Sequence, residues 1–110
     1  MKLPNGGHAE LGTKLEDYVL NQRHRHGQHK AKMFEAVLGI SAANKEILVR
    51  ALLAAAATSN DVVSSGDNGY GQIYSIRFVL ETPRARATIL SAWIIRNNED
   101  FPRLTTCFIV

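Results

Sequence analysis

The sequence predicts an α+β domain in which three N-terminal helices pack on a three- to four-stranded antiparallel β-meander. Three observations predict it. Apolar residues recur at helical spacing through the first sixty positions, they alternate with polar ones after Gly71, and a run of turn formers, Ser64-Ser65-Gly66-Asp67-Asn68-Gly69, separates the two regimes. With 110 residues, 45% of them hydrophobic and 21% charged, the chain can bury one core and is too short for two. That composition is also too apolar for disorder.

Each element has a local cause. Thr13-Lys14-Leu15-Glu16 reads as a capping box, and Leu15, Tyr18 and Val19 give the spacing of a short first helix ending near Asn21. The basic segment Asn21–Gly27 breaks the pattern. Met33, Phe34, Val37 and Leu38 then mark a second helix over roughly Gln28–Leu38, stopped by Gly39. Ser41 is a good N-cap for the third, whose stripe is Ile47, Leu48, Ala51, Leu52 and Ala55 until Thr58-Ser59-Asn60 dissolves it.

The strands follow. Tyr74, Ile76, Phe78 and Leu80 alternate with Ser75, Arg77 and Glu81, as a half-buried strand requires. Thr82-Pro83-Arg84 is a turn, since proline cannot continue a ladder. Arg86–Arg96 is apolar on both faces, which suits a central strand, and after the Asn97–Pro102 turn Arg103–Val110 closes the sheet. Asp61–Ser64 adds a fourth strand at an edge. Short connections favour antiparallel neighbours, because parallel ones need long crossovers. Helices therefore belong in Thr13–Thr58 and strands in Gln72–Val110, with no helix of ten or more residues after Gly71.

Composition excludes several function classes. The most apolar stretch, Ile47–Ala57, contains Arg50 and is far shorter than the ~20 residues that span a bilayer, and Met1–Gly6 has no apolar signal core. A single cysteine, Cys107, forms no internal disulfide, so the expected compartment is the cytoplasm, and on a strand it reads as a small buried apolar group. The net charge of +3 is mild and identifies no partner.

Local charge says more. Asn21–Lys32 holds four cations, three of the four histidines and no acid. Such a run is either a solvated loop or, at the start of a helix where unpaired amides face outward, a phosphate-binding surface through Arg23, Arg25 and Lys32. On a helical wheel with Lys30 at 0°, Met33 falls near 300°, Phe34 near 40°, Val37 near 340° and Leu38 near 80°, at about 100° per residue. Lys30 is thus expected on the midline of the apolar face, where its amine either snorkels out, pairs with a carboxylate or meets an anion at the sheet.

His24, His26 and His29 have the spacing H-x-H-x-x-H, a weak metal signature because no further ligand is nearby, and the sequence calls for no metal and no cofactor. His29 beside Lys30 is better suited to moving a proton near neutral pH. On the strands, Ser75 with Arg77, Ser91, and Arg103 with Thr105 offer cations and hydroxyls that could hold a phosphodiester, or are simply solvated.

In combination, Lys14-Leu15-x-x-Tyr18-x-Leu20-Asn21, Gly27-Gln28-His29-Lys30-Ala31-Lys32-Met33-Phe34-x-x-x-Leu38-Gly39, Tyr70-Gly71-Gln72-x-Tyr74, Ala87-Thr88-x-x-Ser91-Ala92-Trp93-Ile94 and Pro102-Arg103-Leu104-Thr105-Thr106 resemble a family of small bacterial domains of unknown function. The same order of motifs is similar to the C-terminal toxin tips of contact-dependent growth-inhibition proteins, metal-independent ribonucleases of the barnase, EndoU, colicin and RelE type. Where those tips carry asparagine before the helix lysine, this chain has His29. Where they carry arginine before Ser91-Ala92-Trp93, it has Leu90.

The resemblance implies RNA cleavage by internal transesterification. His29 would act as acid or base, Lys30 and Arg103 would hold the phosphate, and Thr105 and Ser91 would donate hydrogen bonds, with Arg23, Arg25, Lys32 and Arg77 contacting the nucleic acid. RNA and a neutralising or paired small protein are the partners it implies. The alternative is a non-catalytic protein- or RNA-binding module, half of a two-gene pair, docking through the basic patch.

Overall fold

The computed structural model describes residues 1–110 as an α+β fold with one four-stranded antiparallel sheet. Strands β1 (Val62–Asp67), β2 (Gly71–Glu81), β3 (Arg86–Arg96) and β4 (Arg103–Ile109) lie in the order β1-β2-β3-β4, so the chain meanders. Tyr74 pairs with Trp93, Ile76 with Ser91, and Ser91 with Cys107, which puts these residues on the face that the helical segments cover. Strand β1 runs three residues past Ser64. The ladder survives Gly66 and Asp67 because its register shifts between Ser64 and Gly66, a bulge in which Gly66 takes φ 86°, a value open to glycine.

Two regular helices precede the sheet: α1 (Gln28–Met33), which widens without a break into a π-type turn over Phe34–Leu38, and α2 (Glu46–Thr58). Gly39 ends the first at φ 71°, as its position after Leu38 predicts. Ser41 also behaves as expected: its hydroxyl accepts from the Ala43 amide at 3.3 Å and Asn44 Oδ1 accepts from the Ser41 amide at 2.7 Å. That box opens a single turn, Ala42–Asn44, which leads into α2. Leu48, Leu52, Ala55 and Ala56 bury the face of α2, while Ile47 stays 37% exposed.

The predicted first helix is present but short. Only one wide turn forms, over Leu15–Val19, and Thr13 makes no side-chain cap. Leu15, Val19 and Leu20 are all buried, and burying two consecutive side chains turns the chain inward instead of prolonging a helix. Ahead of this turn, the Glu10 amide donates to Pro102 O and the Leu104 amide donates to Glu10 O, both at 2.9 Å. The N-terminal segment therefore straps the start of β4, a pairing with no periodicity to announce it. No helix is long and apolar enough to cross a membrane.

Trp93 and Ser91 lock the centre of the core. Trp93 Nε1 donates to Ser91 Oγ at 2.9 Å and Ser91 Oγ donates to Ile76 O at 3.1 Å, with both residues fully buried. Ser91→Ala leaves the indole N–H without an acceptor, and we expect a loss of roughly 1–2 kcal/mol in urea unfolding.

Candidate functional site

Lys30 organises the site. The buried residues of its helical segment are Gly27, Ala31, Phe34 and Leu38, whereas Met33 is 48% exposed. Their midline places Lys30 roughly 70° to one side at about 100° per residue, on the flank beside β4 and not on the midline itself. The small residues Gly27 and Ala31 make the contact, and they carry little weight on a hydrophobic wheel.

The amine neither snorkels free nor meets a carboxylate. Lys30 Nζ donates to Tyr18 Oη at 2.7 Å and to Thr106 Oγ1 at 3.3 Å, and it stands 4.8 Å and 5.5 Å from the ring centres of Tyr18 and Phe108. None of the four ion pairs of the chain includes it. A half-buried ammonium is thus surrounded by hydroxyls and aromatic faces, and its charge is not neutralised. The bond from Lys30 holds the Tyr18 phenol below the usual tyrosine range, against the opposing effect of partial burial.

Tyr18 and Thr106 form part of the wall of a groove of about 770 Å³, with Lys30 behind them. The groove also presents Lys14, Arg96 and Arg103 as cations, Glu10 and Asp17 as acids, and His24 and His26. His24 meets the Tyr18 ring edge-on at 4.8 Å. Its Nδ1 accepts from the amides of His26 and Gly27, both at 3.0 Å, so the neutral ring carries its proton on Nε2. The His26 ring makes no hydrogen bond within the protein and remains available in the groove.

The residues singled out in the sequence separate. Thr105 and Arg103 line the groove with Tyr18, but Arg103 is bound through Nε and Nη2 to Glu99 at 2.8 Å each and stacks on Phe101 at 4.8 Å. The pair holds the Glu99 carboxyl below, and the Arg103 guanidinium above, their ordinary ranges. Thr105 Oγ1 donates to Ala92 O at 3.1 Å.

Ser91 is corrected outright: it is 0% exposed, its proton is given to Ile76 O, and no ligand can reach it. His29 is exposed and lies outside the groove, lining a separate hollow of about 220 Å³ with Lys30, Met33, Phe108 and Ile109. Arg23, Arg25 and Lys32 are exposed and line neither space. Arg77 lies on the uncovered face of the sheet, opposite Leu90.

Cys107 is sealed in the core, where burial pushes its thiol up to about 12, so it is not a nucleophile. No group of three His, Cys, Asp or Glu side chains stands in a metal-holding arrangement. Sequence reasoning passed over Tyr18 and Thr106. Both stand in the quoted motifs, at the helix position four after Lys14 and directly after Thr105, but only the fold brings them to one amine.

A titration checks this geometry. Because the Tyr18 phenol is lowered in the folded state, its stabilising contribution is complete above the unfolded value near 10, declines as pH falls through the folded value, and is absent below it. The tyrosinate absorbance lost in Tyr18→Phe should titrate below that of free tyrosine in wild type, and at or above it in Lys30→Met.

A family model described as a domain of unknown function (DUF6883) matches residues 2–110, and the chain belongs to that family. No match is found among curated proteins or solved structures.

Proposed function

We propose that this protein is a cytoplasmic, toxin-like, metal-independent endoribonuclease that cuts RNA by internal transesterification and leaves a 2′,3′-cyclic phosphate. One observation carries the reading: an ammonium without a carboxylate partner is bonded to the phenol of Tyr18, a residue of the groove wall, and lowers its pKa. Tyr18, charged through Lys30, removes the proton of the 2′-hydroxyl, whose oxygen attacks the adjacent phosphorus. The bond to the 5′-oxygen breaks, and His26 in its protonated form returns a proton to that oxygen. Lys14 and the Nε2–H of His24 face the non-bridging oxygens, where charge develops. Thr106, whose oxygen accepts from Lys30, gives its own proton to the Tyr18 oxygen and adds to the lowering of the phenol.

Incubation with total bacterial RNA in a chelator, followed by end analysis for cyclic phosphate, tests the activity. Loss of cleavage in EDTA with recovery on adding a divalent metal would remove the mechanism.

A non-catalytic RNA-binding module is the second reading, favoured by the ion pair that engages Arg103. Both readings place phosphate near the exposed Arg23 and Arg25. RNA affinity should therefore fall steeply between about 50 and 200 mM salt, and replacing both arginines with glutamate should reduce the slope of log affinity on log salt by about 1–2. An affinity indifferent to salt would contradict both.

A further inference from the structure

The groove does not end at Arg103. Through Ile94, Arg96 and Thr105 it continues into a second space of about 620 Å³ at the tip of the β2 hairpin, lined besides by Asn68, Gly69, Tyr70, Asn97 and Asn98. No acidic side chain lines this space. Tyr70 is 76% exposed, the most exposed large apolar residue of the chain, and stacks on no other ring.

Its backbone is nevertheless fixed. The Tyr70 amide donates to Asn68 Oδ1 at 2.9 Å, its carbonyl accepts from the Asn97 amide at 3.0 Å, and Asn97 Nδ2 donates to Gly69 O at 3.0 Å. The ring is held out by a rigid turn, with its faces open. Beside it, the Arg96 guanidinium is 55% exposed and only 4.0 Å from Glu99, whose carboxylate is already taken by two bonds to Arg103. The Asn98 side chain makes no hydrogen bond within the protein, and Asn97 Oδ1 accepts none.

We propose that the hairpin tip is a subsite for an unpaired nucleotide beyond the two that the cleaved bond joins. Tyr70 stacks on the base, Arg96 takes a phosphate, and the amides of Asn97 and Asn98 meet the base edge. An exposed aromatic face on a held backbone, a guanidinium more than half exposed and unengaged amides, in a space that no carboxylate lines, are the chemistry by which single strands are held. A duplex offers no open base face to Tyr70, so the subsite selects single-stranded RNA. This inference rests on the ribonuclease reading and names the form of its substrate.

The test measures binding of a short single-stranded 2′-O-methyl oligoribonucleotide, which lacks the attacking hydroxyl, and of the same sequence as a duplex. Cleavage of a dinucleotide, which has no third nucleotide to occupy the subsite, is measured alongside. Tyr70→Ala should weaken single-strand binding by about 5-fold or more, and Tyr70→Phe should hold wild-type affinity, because stacking needs the ring and not the hydroxyl. Dinucleotide cleavage should be unchanged in both. Arg96→Gln should weaken binding and reduce its salt dependence by about one unit of slope. Equal affinity of wild type and Tyr70→Ala, in protein that cleaves RNA, would overturn the subsite and leave the enzyme standing. A wild type that binds no nucleic acid would overturn both.

Discussion

Replacing Lys30 by methionine should lower RNA cleavage in EDTA by roughly 10²-fold or more, the usual contribution of general acid–base catalysis. The substitution keeps most of the stem but removes the ammonium, and with it the bond to Tyr18 and the approach to the Tyr18 and Phe108 ring faces. Because a half-buried ammonium without a carboxylate partner costs stability, urea unfolding should show Lys30→Met as stable as wild type or more so. RNA binding should change much less than cleavage, since Lys14, Arg96, Arg23 and Arg25 are untouched. The pH profile separates loss of a proton-transfer group from a structural defect: the optimum of the residual activity in Lys30→Met should move to a more alkaline pH, because an unassisted phenol ionises only near 10. Wild-type activity in Lys30→Met would show that Tyr18 works without its partner.

Gly27→Ala should cost about 3 kcal/mol, towards the upper end for overpacking. Gly27 sits where α1 begins, and a methyl group there would overlap the Tyr18 carbonyl and stand 3.0 Å from Cδ1 of the Tyr18 ring. Its φ of −94° is open to any residue, so the demand is for space alone. Backbone cannot yield as a flexible side chain would, and relief comes by moving α1 off the Leu15–Val19 turn. That movement separates Lys30 from Tyr18 and disturbs the amide that Gly27 donates to His24 Nδ1. Cleavage per folded molecule should accordingly fall by up to about 10²-fold, the cost of a displacement near 1 Å. A Gly27→Ala protein with wild-type melting and activity would contradict the packing described here.

The sheet was legible because alternation is a local property of β2, where Tyr74, Ile76, Phe78 and Leu80 turn to the core side and Ser75, Arg77 and Glu81 away from it. Gly39 and Ser41 were equally legible, each acting through its own backbone or side chain. The first helix is shorter than the spacing of Leu15, Tyr18 and Val19 suggests because Leu20 is buried beside Val19, which only a turn into the core allows. Ser91 misled for a different reason. A lone hydroxyl in the otherwise apolar run 89–95 of β3 looks available to a ligand, and nothing local reveals that Trp93 and Ile76 consume it.

Lys30 was identifiable from its neighbours on one helix, although its position on the flank depended on counting Gly27 and Ala31 as core. Tyr18 and Thr106 lie 12 and 76 positions away from it, and no spacing rule links residues across that distance. The engagement of Arg103 with Glu99 was readable in principle as an i, i+4 pair, but the turn over Asn97–Pro102 hid it.

The account rests on Tyr18 as a base charged through Lys30, and one measurement bears on it most directly. Wild type and Tyr18→Phe are incubated with RNA in EDTA across a range of pH, and product ends are analysed for 2′,3′-cyclic phosphate. The predicted result is cyclic ends from wild type, with a bell-shaped pH profile whose maximum lies below the pKa of free tyrosine, because Tyr18 must be charged while His26 carries its proton, and a loss of roughly 10²-fold in Tyr18→Phe. Cleavage of equal rate and pH dependence by both proteins would contradict it.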